Sequence, residues 1–285
     1  MRTTKYPLQR NGIPLYLDCS VQGEPTGNIL LIHGVTYSSR EFDVNYEDYS
    51  LVRRLAGEGY AVWRIDISGY GQSGAVEDGF MPDSHYAAED VCAAVTHILR
   101  ETGQDRIDIL GWSWGTVVAG RFAVKHPDMI NKLVLFAPIL SGVGNSAVPE
   151  PFHHNTWKHA AEDFQCDSGG SFDSTITDPV VIDLWCSMCW HYDGEYSPNA
   201  GRREICVDEK EILIDLPNIA VPTLVICGDR DPYLNYSLAC SSLKHLPESS
   251  SLEMIEGAGH CIFLEKPFYR DFQTRLIGFL KEKKH

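Results

Sequence analysis

The chain has 285 residues, a length that suits one or two domains and lets about three quarters of the unfolded surface be buried. Hydrophobic residues make up 44% and charged residues 22%, a balance that excludes a mainly disordered chain. Asp plus Glu outnumber Lys plus Arg by 39 to 24, a net charge of −15 with no basic stripe to offset it, which excludes nucleic acid as a partner.

No apolar run reaches the ~18 residues of a membrane span. Behind the basic residues Arg2 and Lys5 there is no apolar stretch of the kind a signal peptide carries. Nine cysteines lie scattered without the framework of a small disulfide-stapled domain. They read as reduced thiols in a cytoplasmic protein.

In chain order, residues 5–10 and 13–20 flank Asn11-Gly12, a dipeptide that favours a tight hairpin turn. Residues 28–32 (NILLI) form a continuous apolar run, the pattern of a strand buried on both faces. Runs of the same kind follow at 60–65, 106–110, 132–136 and 223–227. Between them, Ala87, Val91, Val95 and Ile98 recur on one helical face, and 116–125 is a helix stopped before Pro127. A last helix is predicted over 267–284. Alternating strands and helices predict a mostly parallel α/β sheet covered on both faces. Residues 141–209 break that rhythm, with a Gly/Ser/Asp-rich flexible loop at 167–174. They read as an insertion, a cap or lid, into a core made of 1–140 and 210–285.

The sharpest chemical signal is Gly111-Trp112-Ser113-Trp114-Gly115, which follows a predicted strand and opens a predicted helix. So tight a turn leaves no room for a side chain two positions either side of the serine. It would hold the serine hydroxyl out at the strand's carboxyl end, where ligands bind in open α/β sheets. A hydroxyl needs a neighbouring base to become a nucleophile. His260 stands in a glycine-rich loop after the strand at 251–255. An orienting carboxylate is available in Gly228-Asp229-Arg230-Asp231-Pro232, after the strand at 223–227.

Five segments in order carry a resemblance. They are His33-Gly34, the stretch from Asp66 to Gly74, the serine turn, the G-x-x-D of Gly228 to Asp231, and Gly259-His260 followed by Leu264-Glu265-Lys266-Pro267. With them the chain resembles the α/β-hydrolase superfamily everywhere except the insertion. The resemblance implies a triad of Ser113, Asp231 and His260, with Asp231 chosen over Asp229 by its place in G-x-x-D. The alternative acid position of some members is ruled out, because 133–148 holds no Asp or Glu. It also implies an oxyanion hole from the amides of Val35 and Trp114. Epoxide hydrolases and haloalkane dehalogenases carry aspartate where Ser113 stands, which disfavours those activities. The loop His33-Gly34-Val35-Thr36-Tyr37 departs from the His-Gly-Gly-Pro-Gly of proline iminopeptidases, which disfavours a peptidase.

Other residues read as structural. His33 would hold the oxyanion loop, and Asp66 would cap loop amides. Cys186 and Cys189 read as core or pocket lining and not as a metal or redox pair. His153, His154 and His159 read as a solvated segment. The insertion holds Trp157, Trp185 and Trp190, three of six tryptophans, with Met188 nearby; these are the candidate substrate-binding residues. The expected activity is hydrolysis of a carboxylic ester of a small, largely apolar molecule through an acyl-enzyme, without metal or cofactor. Thioester, lactone or carbon–carbon hydrolysis, or a non-catalytic ligand receptor, are the alternatives.

Overall fold

The computed structural model describes residues 1–161, 163–166 and 172–282. The chain opens with the hairpin of β1 (Arg2–Arg10) and β2 (Ile13–Val21). Asn11 and Gly12 between them take φ of 51° and 80°, the two positive values a type I′ turn requires. There follow β3 (Gly27–Ile32), α1 (Leu51–Gly57), β4 (Tyr60–Asp66) and α2 (Ser84–Thr102). Next come β5 (Ile107–Trp112), α3 (Trp114–Lys125) and β6 (Ile130–Phe136).

Residues 141–209 then carry β7 (Phe152–His154), α4 (Trp157–Ala160), α5 (Pro179–Asp193), β8 (Tyr196–Pro198) and α6 (Ala200–Ile205). The alternation resumes with β9 (Thr223–Gly228), α7 (Tyr236–Ser241), β10 (Ser251–Ile255) and α8 (Tyr269–Lys281). The helix predicted over 267–284 therefore starts two residues later and stops at Lys281, and 283–284 lie outside the described residues.

Among the described residues, eight strands form one sheet in the order β1-β2-β4-β3-β5-β6-β9-β10. β1 and β2 pair antiparallel, as do β2 and β4, and every other pairing is parallel. Both faces of the central strands are buried. Leu30 and Ile32 of β3 face α2 and α3, where Ala87, Val91 and Val117 lie. Ile29 and Leu31 face the other side, with Leu51 of α1 and Phe272 of α8. That two-residue alternation explains why the run reads as uninterrupted apolar sequence. The carboxyl end of α8 is closed by buried Lys132, whose Nζ donates to the carbonyls of Phe279 and Glu282, both at 2.6 Å.

Residues 141–209 start and end close to one another. Ser141 bridges Ile212, and the amides of Gly142 and Val143 donate to the carbonyls of Glu211 and Ile205, both at 2.9 Å. The loop predicted at 167–174 lies over 167–171 outside the described residues. α5 begins where Asp178 accepts from the Val180 amide with Pro179 in the first turn. It buries Val181, Ile182, Trp185, Cys186 and Cys189, positions three to four apart on one face. No helix among the described residues is long and apolar enough to cross a membrane.

Candidate active site

The turn between β5 and α3 puts Ser113 at φ 55° and ψ −127°. A non-glycine residue there costs about 1–3 kcal/mol, so the surroundings must hold it. The Ser113 amide donates to the Phe136 carbonyl at 3.1 Å, and its own carbonyl accepts from the Thr116 amide at 2.9 Å. Two glycines make the turn possible. A Cβ on Gly111 would lie 2.3 Å from the Gly115 carbonyl oxygen, and one on Gly115 would lie 2.5 Å from the His33 carbonyl oxygen.

His260 follows β10 and is 2% exposed. Its Nδ1 donates to Asp231 Oδ2 at 2.8 Å, and Asp231 Oδ1 accepts from the Tyr233 amide at 2.9 Å. Burial alone would push the imidazole down, but the charge and hydrogen bond of Asp231 outweigh it and hold His260 above its ordinary value. Asp229 is turned elsewhere, accepting from the Gly257 amide at 2.7 Å. The His260 loop is braced by buried Glu265, which accepts from the Gly259 amide at 3.0 Å and from Gln165 Nε2 at 2.9 Å.

The loop after β3 forms the opposite wall. His33 Nε2 accepts from the Ile67 amide at 3.0 Å, so the proton sits on Nδ1, which donates to the Gly34 carbonyl at 2.8 Å. Burial pushes this imidazole down despite the nearby Asp66, which keeps it neutral. Asp66 itself accepts from the Ser39 amide at 3.0 Å and the Gln72 amide at 2.9 Å. Both residues hold loops, as their sequence contexts suggest. Glu41, which carries no motif in the sequence, accepts from the Gly34 amide at 2.8 Å. Its second oxygen is buried with no partner among the described residues, and burial pushes its carboxyl well above the ordinary range. The Gly34 amide is thereby occupied. Val35 beside it lines the cavity. Trp114 is the first residue of α3, where a backbone amide has no intrahelical acceptor.

These walls enclose a cavity of about 150 Å³ that contains Ser113 and His260. Its residues come from the segments after β3, β5, β6, β9 and β10, the carboxyl ends of the parallel strands. Val143, His159, Asp163, Arg202, Ile205 and Cys206 are contributed by 141–209.

The four insertion residues expected to touch substrate are placed elsewhere. Trp185 is fully buried between the rings of Tyr37 and Phe164, at 5.4 and 5.3 Å. Met188 packs against the same core, while Trp157 and Trp190 are 46% and 44% exposed. None of the four lines the cavity. The reason is the facing of α5: its buried side is spent on the core, and Trp190 falls on the other side. Conversely His159, read as solvated, lines the cavity with its ring 4.2 Å from that of His153. Cys186 and Cys189 are buried in the core around Trp185.

A serine on a strained strand-to-helix turn, a carboxylate-bound histidine and a cavity at the strand ends together define an α/β-hydrolase. The chain belongs to the hydrolase family described as serine aminopeptidase, S33, whose model matches residues 23–267. Among curated proteins it is 21% identical to epoxide hydrolase 3 of Xenopus tropicalis, over 89% of this chain and 71% of that one. It is also 21% identical to the uncharacterized carboxylesterase nap of Bacillus subtilis, over 85% of this chain and 75% of that one. Among solved structures, a thermophilic esterase from Thermogutta terrifontis superposes with a TM-score of 0.69 at 19% identity, covering 99% of this chain and 98% of that one. That likeness establishes the fold.

Proposed function

We propose that this hydrolase cleaves carboxylic esters of small molecules through an acyl-enzyme on Ser113. The observation that carries the reading is the 2.8 Å contact of His260 Nδ1 with Asp231, in a histidine that shares its cavity with Ser113. His260 Nε2 takes the serine proton as Ser113 attacks the carbonyl, and later gives it to the leaving alcohol. Asp231 fixes the tautomer and stabilises the imidazolium. The amides of Val35 and Trp114 receive the developing oxyanion, each worth a few kcal/mol. Water then releases the acid, with no metal or cofactor in the cycle. A serine at the turn favours this route over epoxide opening, although some relatives are named epoxide hydrolases.

Residues 141–209 are read as a lid over a core of 1–140 and 210–285, which is supported by the six cavity residues they supply. The nine unpaired thiols support a cytoplasmic setting. The same groups would serve a thioester, a lactone or a carbon–carbon bond, because the cavity and not the triad selects the scissile bond. The test is steady-state turnover of p-nitrophenyl esters beside a thioester and a lactone. Ser113→Ala and His260→Ala are each expected to lower kcat by about 10⁴-fold or more with the fold intact. Undiminished turnover in Ser113→Ala would refute the reading.

A further inference from the structure

Arg202 is the cation that stands out in this cavity. It lies in α6 and lines the space that holds Ser113. Its Nε donates to Asn199 Oδ1 at 3.2 Å and its Nη2 to Thr36 Oγ1, both uncharged acceptors. No carboxylate among the described residues forms an ion pair with it. The acid nearest in sequence, Glu204, is taken by Arg121 at 2.9 Å and by the Trp114 indole at 3.0 Å. A chain with 39 acidic residues against 24 basic ones has many ways to neutralise an arginine, and this guanidinium is left without one. Burial, with the charge of Arg202 adding to it, pushes His153 down to about 3.

The cavity is also polarised. Asp163 sits at the His260 side, accepting from Tyr233 Oη at 3.1 Å, with the Tyr233 ring 4.9 Å from the imidazole. Arg202 sits at the other side, on Thr36 next to the proposed oxyanion donor Val35. Glu41 also lines the cavity, on the Gly34 amide, but it makes no ion pair with Arg202, whose planar fork of N–H donors matches a carboxylate. A carboxylate entering from solvent would find the overall charge of −15 repulsive and this one corner attractive.

We propose that Arg202 is an anion-recognising residue of the substrate site, and that the ester cleaved carries a carboxylate on its acyl or its alcohol portion. The inference rests on the reading of Ser113 as nucleophile, and it replaces the largely apolar substrate expected from the sequence with an acidic ester. The geometry of Thr36, held at φ 88° by Arg202 and by Ser197 Oγ on its carbonyl, makes Arg202 a brace for the loop as well.

Two matched pairs of esters test it. On the acyl side, p-nitrophenyl butanoate is compared with the p-nitrophenyl monoester of succinate; on the alcohol side, phenyl acetate is compared with 4-acetoxybenzoate. In one pair the wild type is expected to favour the acidic member in kcat/KM by about tenfold or more, the scale on which a lost charged hydrogen bond is felt. R202M is expected to erase that preference, R202K to keep part of it, and added salt to narrow it in the wild type. Equal loss on both members in R202M would reduce Arg202 to a brace for Thr36 and overturn the proposal. So would a wild type that prefers the neutral member in both pairs. If no ester is turned over, the hydrolase reading fails separately. Binding of succinate against butanoate, followed by the fluorescence of cavity-lining Trp112, then decides the anion claim alone. Tighter succinate binding lost in R202M supports the claim, and equal binding contradicts it.

Discussion

In the proposed mechanism one contact of His260 sets the working pH. The imidazole must be neutral to accept the serine proton, so kcat/KM falls as pH drops through its folded pKa. Because Asp231 holds that value above the ordinary one, the acid limb is expected on the alkaline side of ~6.5. In Asp231→Asn the two largest raising influences vanish and burial remains, so the imidazole should titrate lower. Its resonance followed by NMR checks the direction; an unmoved titration would contradict the electrostatic reading of the pair. The same variant is expected to cost about 10⁴ in kcat, through the wrong tautomer. Asp229→Asn, which removes a charge but keeps an oxygen to accept from the Gly257 amide, should stay within about tenfold of wild type. At this scale the sequence pointed to the turns that carry Ser113, Asp231 and His260, where a Cβ at Gly111, Gly115, Gly228 or Gly259 would collide with its neighbours, whereas the contact of His260 with Asp231 is visible only in the structure. Glu41 and Glu265 were not legible as site residues. Each acts by accepting from a backbone amide, and an acceptor on a loop leaves no periodic or spacing signal.

Among the elements, the strands were readable because burial on both faces leaves uninterrupted apolar runs, and α2 because its buried residues recur every three to four. α5 was harder. Its aromatic residues are dense, yet density does not say which side a helix turns to the cavity. Trp185 lies on the face with Val181, Ile182 and Cys189, and Trp190 does not. Alanine substitution should therefore separate the three tryptophans by stability and not by substrate. Trp185→Ala is expected to cost about 3–5 kcal/mol in urea unfolding. Trp157→Ala and Trp190→Ala, each about half exposed, should cost clearly less, about 1–2 kcal/mol. A shift in ester preference from either exposed tryptophan, with stability unchanged, would return it to the substrate site.

Across the whole molecule, the α/β class followed from the alternation of elements, whereas the strand order did not. The sequence places β3 before β4, but in the sheet β4 lies between β2 and β3, and no local pattern encodes that exchange. The cavity lining was equally hidden. Its residues converge from loops far apart in the chain, so Arg202 and His159 share a cavity with Ser113 only once the sheet and residues 141–209 are assembled. In the proposed mechanism the same assembly turns the Ser113 hydroxyl into a nucleophile. Intact-protein and peptide mass spectrometry after treatment with a fluorophosphonate measures that reactivity directly. One adduct is expected, on Ser113, absent in Ser113→Ala and formed far more slowly in His260→Ala. An unlabelled wild-type protein, or an adduct carried by another residue, would contradict it.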